Sequence, residues 1–222
     1  MSRMHLPRFV PTCRSLLAVV ALSTAMPSAA ARAGLILGNL SGNDLNAFSL
    51  YDTSRKAVSF TMGTQSYVLD DAVLRLNYGT GSPIVELRDD VGGSSPGNTV
   101  LATFTTPGAN GGGIQDYTFT PTSAFTLAAN TKYWLYVYGS GVGFGQAAFW
   151  YRSSANDAPA GPGATFDIYS DTNNGGSSWN TNSSTFNKFE LHGTPVAVPE
   201  PSSLWFAAVA VGGAARLRRR RP

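Results

Sequence analysis

The stretch "VLRLNYGTGSPIVELRDDVGGSSPGN", from Val73 to Asn98, carries the clearest fold signal in this chain. Within it, "VLRLNY" and "IVELRD" each alternate between two sets of side chains, so that Leu74, Leu76 and Tyr78 share one face. A period of two is typical of a β-strand with one buried face. The residues between and after the two runs are rich in Gly, Ser, Pro and Asn, which favour tight turns. The stretch therefore predicts two strands joined by short turns.

The same pattern continues outward in both directions. Short β-rich runs alternate with turn residues, and we predict strands at Val58–Met62, Val68–Tyr78, Ile84–Arg88, Val100–Thr105, Tyr117–Thr120, Tyr133–Tyr138, Ala148–Arg152, Thr165–Tyr169 and Phe186–Leu191. The sequence shows neither helix–strand alternation nor a repeat of 20–50 residues, which disfavours a parallel α/β sheet, a propeller or a solenoid. We expect one all-β domain over residues 34–195, an antiparallel β-sandwich or jelly roll.

The first 33 residues have the features of a secretory signal peptide. A positive region and an apolar run follow one another: Arg3, Arg8 and Arg14, then "LLAVVALSTAM" at 16–26. Ala31 and Ala33 form an Ala-x-Ala site that predicts cleavage before Gly34, and Ala29 with Ala31 offers a second choice. The apolar run is shorter than the about 20 residues of a spanning helix, although a retained anchor is an alternative. We therefore expect Sec-type export and signal peptidase as partners.

The charge of the chain is divided between its ends and its middle. The whole chain has a formal charge of +3, but Gly34–Val198 contains 7 basic and 12 acidic residues, a net charge of −5. The basic isoelectric point therefore belongs to the ends, and no basic patch for nucleic acid is expected. Cys13, the only cysteine, precedes the apolar run of the signal peptide. The mature domain consequently has neither a disulfide nor a thiolate metal site.

The end of the sequence, "VPEPSSLWFAAVAVGGAARLRRRRP" at 198–222, has three parts. They are a polar motif at Pro199, Glu200 and Pro201, an apolar helix predicted at 203–215, and a basic cluster of Arg216, Arg218, Arg219, Arg220 and Arg221. The 12 apolar residues at 204–215 would span about 18 Å as a helix, which makes a marginal membrane span only with snorkelling arginines. The arginines would then stay cytoplasmic, leaving an extended and accessible Pro-Glu-Pro segment outside.

This three-part ending, residues 196–222, resembles the PEP-CTERM sorting signal of exported bacterial proteins. The resemblance implies transient insertion into the inner membrane and recognition by an exosortase, an integral-membrane enzyme that removes the tail. It further implies a final location at the cell surface or outside the cell, in a biofilm matrix of exopolysaccharide. An ordinary tail anchor with stop-transfer arginines is the alternative.

The central domain is similar to the choice-of-anchor β-domains that accompany this signal. The similarity is carried by "SPIVELRDDVGGSSPGNTVLATFTTP" at 82–107, "YTFTPTSAFTLAANTKYWLYVY" at 117–138 and "FNKFELHGTPVAVPEP" at 186–201. Those domains have no established biochemical activity, so the resemblance implies a fold and an address but no reaction.

Few residues of the domain are arranged for catalysis. His192 is the only histidine after the signal peptide, at the end of the last predicted strand, and no Gly-x-Ser-x-Gly elbow precedes a helix. The "GSGVGFGQ" segment at 139–146 leads into a strand, so we interpret it as a turn and not as a phosphate cradle. The pairs Asp70-Asp71 and Asp89-Asp90 are neighbours on strands and should point to opposite faces. We expect no enzyme, with a glycosidase as the disfavoured alternative.

Aromatic residues give the best indication of binding. Trp134, Tyr136 and Tyr138 should share one face of a strand, and Trp150 and Trp179 add further rings. An exposed row of rings could stack on sugars, whereas burial in a sandwich core is the alternative that we favour. We expect no cofactor, apart from a loop calcium site at Asp167, Asp171 and Asn173 that the sequence leaves open. The sequence thus favours a non-catalytic structural or interaction role linked to exopolysaccharide, with a carbohydrate-binding module as the alternative.

Overall fold

The computed structural model describes residues 33–78, 82–108, 112–141, 143–144, 148–154, 156–182 and 185–197. These residues contain no α-helix and form fourteen strands: β1 Gly34–Gly38, β2 Asn46–Leu50, β3 Arg55–Met62, β4 Tyr67–Asn77, β5 Pro83–Asp90, β6 Pro96–Thr105, β7 Gln115–Pro121, β8 Thr126–Leu127, β9 Lys132–Gly139, β10 Ala148–Ser153, β11 Ala164–Thr172, β12 Asn180–Asn182, β13 Phe186–Asn187 and β14 Phe189–Pro195. The all-β prediction is therefore confirmed. In the described part of the chain, no helix is long and apolar enough to cross a membrane.

All the strand pairs are antiparallel, and they follow the order β1-β14-β4-β7-β6-β5-β9-β3-β11-β12. Strands β2, β8, β10 and β13 branch from the β4 side of this path. A short pairing of β6 with β7, Phe104 opposite Pro121, joins the two halves of the sheet. Leu74 of β4 and Phe189 of β14 share one core with Phe60 of β3. The continuous sheet therefore folds over this core as a sandwich, as predicted.

The alternation in β4 is present as predicted. Leu74 and Leu76 are completely buried, whereas Arg75 and Asn77 are partly exposed. Burial of each such leucine contributes about 1.5–3 kcal/mol relative to exposure. Strands β3 and β9 differ from this pattern because each has five consecutive buried residues. Both faces of these two strands are consequently covered. The predicted aromatic row lies on β9, so its first two rings are covered as well.

Every predicted strand coincides with strand structure, with one interruption. The predicted strand Phe186–Leu191 is divided at Lys188, whose backbone N–H donates to the carbonyl of Tyr151. The carbonyl of Lys188 in turn accepts the backbone N–H of Arg75. Lys188 therefore lies between β13 and β14 and is hydrogen-bonded through its backbone to both β10 and β4. Four short strands were not predicted, namely β1, β2, β8 and β12.

Hydrogen bonds to the rest of the domain continue one residue beyond the last strand, to Val196. The backbone N–H of Val196 donates to the carbonyl of Ser66 at 2.9 Å. The side-chain amide of Gln65 donates to the carbonyl of Val196 at 2.7 Å. The folded domain therefore includes Val196.

Candidate functional site

The predicted aromatic row lies on the outer face of β9, but it is not exposed. Trp134 is 0% exposed and Tyr136 is 1% exposed. Together with Ala57 they form a second, smaller core, over which Tyr138 and Trp179 pack. Trp134 and Tyr136 are therefore buried, as the sequence favoured, and they form no open row of stacking rings.

The loop between β11 and β12 provides part of this cover. Thr172 Oγ1 accepts the backbone N–H of Gly176 at 3.2 Å, which closes the loop on itself. Gly175 and Gly176 have φ angles of +72° and +99°, a conformation that favours glycine. The turn places the indole of Trp179 against Tyr136, with ring centroids 5.7 Å apart. Trp179 is thus the ring of the predicted set that lies at the edge of the covered cluster.

Two arginines contact the same tyrosine from different sides. Arg55 Nη1 donates to the hydroxyl of Tyr136 at 2.9 Å, and its guanidinium lies 4.9 Å from the centre of the Tyr138 ring. The guanidinium of Arg88 lies 3.8 Å from the centre of the Tyr136 ring. Cation–π contacts of this kind stabilise by about 0.5–2 kcal/mol, depending on exposure. The arginines therefore both cover the rings and concentrate positive charge there.

Glu86, two residues before Arg88 on β5, neutralises the Arg88 guanidinium. The carboxylate of Glu86, in a residue that is 7% exposed, lies 2.6 Å from Arg88 Nη2 and 2.8 Å from Arg88 Nε. It also accepts the hydroxyl of Tyr138 at 3.1 Å. Burial, and next to it the Glu86 carboxylate, raises the pKa of Tyr138, so the phenol stays a neutral donor. Arg55, by contrast, forms no ion pair with any described carboxylate.

A groove of about 410 Å³ lies between the β5–β6 loop and the β11–β12 loop. Arg55 and Arg88 are the charged residues that line it, and no described carboxylate lines it. The remaining lining includes Tyr136, Trp179 and the polar side chains of Asn98 and Ser177. Rings, guanidinium groups and small polar groups therefore meet in one concave surface, which can bind a polar, anionic ligand.

A second, more open depression of about 430 Å³ lies beside Tyr51 and Phe144. The two rings meet edge to face with centroids 5.9 Å apart, and Phe144 is 68% exposed. Thr53 lines this depression, and its carbonyl accepts the backbone N–H of Gly175, a lining residue of the groove, at 2.9 Å. This depression therefore carries an exposed aromatic ring, that of Phe144.

Trp150, the other predicted platform, belongs to the opposite half of the sheet. It is completely buried, and its indole N–H donates to the carbonyl of Lys188 at 2.8 Å. Buried indole groups usually have such a partner. The structure therefore places Trp150 in the core and not at a surface.

The neighbours Asp89 and Asp90 each have a separate partner. Asp90 Oδ1 accepts the indole N–H of the buried Trp134 at 2.8 Å and lies 3.6 Å from Lys132 Nζ. Asp89 Oδ1 accepts the backbone N–H of Thr99 at 3.0 Å. Both carboxylates hold strands and loops in place.

The prediction that Asp70 and Asp71 point to opposite faces is wrong. His192 lies opposite Asp71 but Gly193 lies opposite Leu69, so β4 has an extra residue at this point. Such a β-bulge turns two consecutive side chains to the same side. Accordingly, Asp71 Oδ1 contacts His192 Nδ1 at 2.7 Å, and Asp70 Oδ2 accepts the hydroxyl of Thr194 at 2.8 Å.

His192 lies between two carboxylates. Its Nδ1 contacts Asp71, and its Nε2 lies 3.3 Å from Glu190 Oε2. Within the described residues, neither ring nitrogen contacts a hydroxyl group that could act as a nucleophile. The geometry here fits a polar network of side chains on the outer face of β14.

The residues of the predicted calcium site do not converge. Asp171 forms an ion pair with the buried Lys56 at 3.3 Å, and Asp167 accepts the hydroxyl of Thr61 at 2.9 Å. Asp167 and Asp171 are four positions apart on one strand, which corresponds to about 13 Å. The described residues contain no group of three or more His, Cys, Asp or Glu side chains that could hold a metal ion. Asn173, the third predicted ligand, accepts the hydroxyl of Ser54 at 3.3 Å.

Two buried lysines are compensated by carboxylates. Burial lowers the pKa of Lys56, and the Asp171 carboxylate offsets part of that effect. Asp44 lies 2.9 Å from Lys188 Nζ and 2.9 Å from Arg75 Nη2. Burial alone raises the pKa of Asp44, but the hydrogen bonds from Arg75 and Lys188 outweigh it and hold the pKa below its ordinary value.

Most residues of the predicted processing sites lie outside the described residues. These are Ala31, the Pro199-Glu200-Pro201 motif, the helix at 203–215 and the arginines at 216–221. Gly34, before which cleavage is predicted, is the first residue of β1 and pairs with Gly193 of β14. Cleavage at that point would leave β1 complete.

Residues 197–221 match the family model of the PEP-CTERM protein-sorting motif. No curated protein matches the chain. The motif marks this chain as an exported protein that is processed by an exosortase and reaches the cell surface or the extracellular space. It begins two residues after Pro195, the last residue of β14.

Sequence reasoning missed the two arginines of the groove. Arg88 lies in the alternating run of β5, on the same face as Glu86, which pairs with Tyr136 of β9. That pairing brings Arg88 over the Tyr136 ring, and the sequence alone does not provide the register. The one indication in the sequence was that Arg88 is a polar residue in an alternating strand. In the structure it faces the same side as the aromatic row of the adjacent strand, β9.

Proposed function

We propose that the β-domain is a non-catalytic structural or interaction module of the cell surface or extracellular matrix, associated with the exopolysaccharide of a biofilm. In this proposal the domain is of the choice-of-anchor type. It leaves the cell by Sec-type export, loses its signal peptide to signal peptidase, and passes through the inner membrane as a processing intermediate. One observation carries the proposal, the sorting motif that directly follows the last strand of a folded β-sandwich.

The contacts of the acidic groups support a non-catalytic role. Asp70, Asp71, Asp89 and Asp90 each interact with a neighbour in the fold, and so does His192. These contacts hold strands and loops in place, and among the described residues neither ring nitrogen of His192 contacts a hydroxyl that could act as a nucleophile.

A second candidate function is that of a carbohydrate-binding module, and the groove favours it. The exposed row of rings that the sequence suggested is covered, so Trp134 and Tyr136 provide no open platform. The groove offers Trp179 with two arginines and polar side chains instead. This candidate is compatible with the first, because a matrix protein can be held by its polysaccharide.

The experiment is intact-mass analysis of the protein from cells, washed matrix and medium of a native producer. We expect a species that begins near Gly34 and ends near Pro199–Pro201, and we expect it to disappear in a strain without the exosortase. In a strain that makes no exopolysaccharide, the processed protein should move from the matrix to the medium. A cell-bound species that retains the arginines, or equal release with and without exopolysaccharide, would contradict the proposal.

A further inference from the structure

The groove is a positive site in a negative domain. Residues 34–198 carry a net charge of −5, yet the charged groups that line the groove are Arg55 and Arg88. Both guanidinium groups contact Tyr136, so two positive charges lie close together. Glu86 compensates Arg88, but among the described residues no carboxylate compensates Arg55. An anion in the groove would provide the missing compensation.

The unused donors of Arg55 point to the same conclusion. Its Nε donates to the carbonyl of Asp52 at 2.8 Å and its Nη1 donates to Tyr136, while Nη2 makes no hydrogen bond within the described residues. Nη2 lies beside Gly175, which lines the groove. A Cβ atom added at Gly175 would be 3.6 Å from Nη2. A guanidinium that is fixed by two hydrogen bonds and has free N–H groups at one edge suits a carboxylate.

The rest of the lining suits a sugar. Trp179 offers an indole at the wall of the groove, and aromatic rings pack against the apolar faces of sugar rings. Asn98 and Ser177 provide an amide and a hydroxyl, which match the alternating donors and acceptors of sugar hydroxyls. At about 410 Å³ the groove falls within the usual range for a small-ligand site, and its polar wall disfavours an apolar ligand.

From these features we infer that the groove binds a uronate residue of an acidic extracellular polysaccharide. Arg55 receives the carboxylate, Trp179 packs against the sugar ring, and Arg88 adds positive charge from the fixed position over Tyr136. The inference rests on the proposed association with exopolysaccharide and adds the chemical class of the ligand and its site.

The test is isothermal titration calorimetry of the processed protein with an oligomannuronate, and with the neutral manno-oligosaccharide of the same length. We expect binding of the acidic oligosaccharide that weakens with added salt, and little binding of the neutral one. Arg55→Gln should weaken binding by about tenfold or more, the usual effect of losing a hydrogen bond to a charged group. Acetate at the same carboxylate concentration should not compete, because it lacks the ring that contacts Trp179.

Arg152→Gln is the matched control, because it changes the net charge equally. Arg152 belongs to β10 in the other half of the sheet, where its Nε donates to Asn46. Asn98→Trp supplies a second variant, since it fills the groove from an exposed position and leaves both arginines intact. We expect normal affinity for the first and loss of binding for the second, with unchanged unfolding temperatures.

The two proposals fail in different ways. Equal affinity of Arg55→Gln and Arg152→Gln, or equal binding of the acidic and neutral oligosaccharides, would overturn the uronate site. Retention of the Arg55→Gln protein in the matrix at the wild-type level would also overturn it, while leaving the association with the matrix intact. Uronate binding that depends on Arg55, in a protein never found in the matrix, would support the site and contradict the proposed function.

Discussion

The indole N–H of Trp134 donates to Asp90 Oδ1 at 2.8 Å, so a fully buried ring on the outer face of β9 is tied to the end of β5. Tyr136, two residues further along β9, lies under Arg88 of β5. The same pair of strands thus positions the buried rings and the arginine above them. The groove depends on this arrangement, because its lining includes both Arg88 and Tyr136.

Asp90→Ala should lower the free energy of unfolding by about 1–3 kcal/mol, because it leaves the buried indole N–H without its acceptor. Asp90→Asn should be milder, since an amide oxygen can still accept. Asp89→Ala is the control, as its partner is an exposed backbone N–H. Urea denaturation of the three variants measures the difference. Equal losses for the two alanine variants would show that the Trp134 contact contributes nothing specific.

Removing either member of the Lys56–Asp171 ion pair should have unequal effects. Asp171→Ala leaves a fully buried ammonium group unpaired, and such a change costs about 3–5 kcal/mol. Lys56→Met replaces the charge by an apolar chain of similar length between Phe48 and Tyr169, and should cost much less. Chemical denaturation of both variants provides the comparison. A larger loss for Lys56→Met would contradict this account.

Lys56 also predicts a dependence on alkaline pH. Because burial lowers its pKa in the folded state, the unfolded chain binds the proton over a range where the folded protein has released it. The free energy of unfolding should therefore rise with pH through the range below 10.5, the ordinary pKa of lysine. Denaturation curves across this range should show the rise for the wild type and a flatter profile for Lys56→Met. Identical slopes would exclude this contribution.

Tyr78 predicts the opposite trend at higher pH. Burial, and next to it the neighbouring Tyr117, raises the pKa of Tyr78 to about 12, so the folded protein keeps a proton that the unfolded chain loses near pH 10. The free energy of unfolding should fall as the pH rises from 10.0 toward 12. Tyr78→Phe should reduce this slope but not abolish it, because burial also raises the pKa of Tyr169. An unchanged slope in Tyr78→Phe would count against Tyr78 as a source.

Asp44 should contribute to stability down to acidic pH. Its pKa lies below 3.8 in the folded protein, so its contribution is complete above 3.8 and is lost as the pH falls through the folded-state value. Asp44→Asn should be strongly destabilising at neutral pH, by about 3–5 kcal/mol, since Lys188 is only 2% exposed. Asp116→Asn removes the more exposed partner of Arg75 and should cost less than about 1 kcal/mol. Thermal unfolding between neutral and acidic pH would check both expectations.

The parts of the fold that follow from local pattern were predictable from the sequence, and the parts that depend on long-range contacts were not. The alternation of Leu74, Leu76 and Tyr78 with polar residues identified β4 and its buried face. The bulge at Asp70–Asp71 was missed, because an extra residue appears only when β4 is aligned with β14. The sequence favoured burial of Trp134 and Tyr136 but did not show what covers them. Their cover comes from Arg55, Arg88 and the loop that carries Trp179. These elements meet only after β3, β5, β9 and β11 have paired.

The hydrogen bonds that Ser66 and Gln65 make to Val196 leave little free chain before the sorting motif. From Val196 to Pro199 the backbone can reach about 10 Å at full extension. The proposed cleavage at the Pro199-Glu200-Pro201 motif would therefore take place within a few residues of the folded sandwich. Because these hydrogen bonds hold Val196 to the sheet, β14 sets the direction in which the chain leaves the domain. The position of the groove relative to this exit of the chain is then fixed by the sheet.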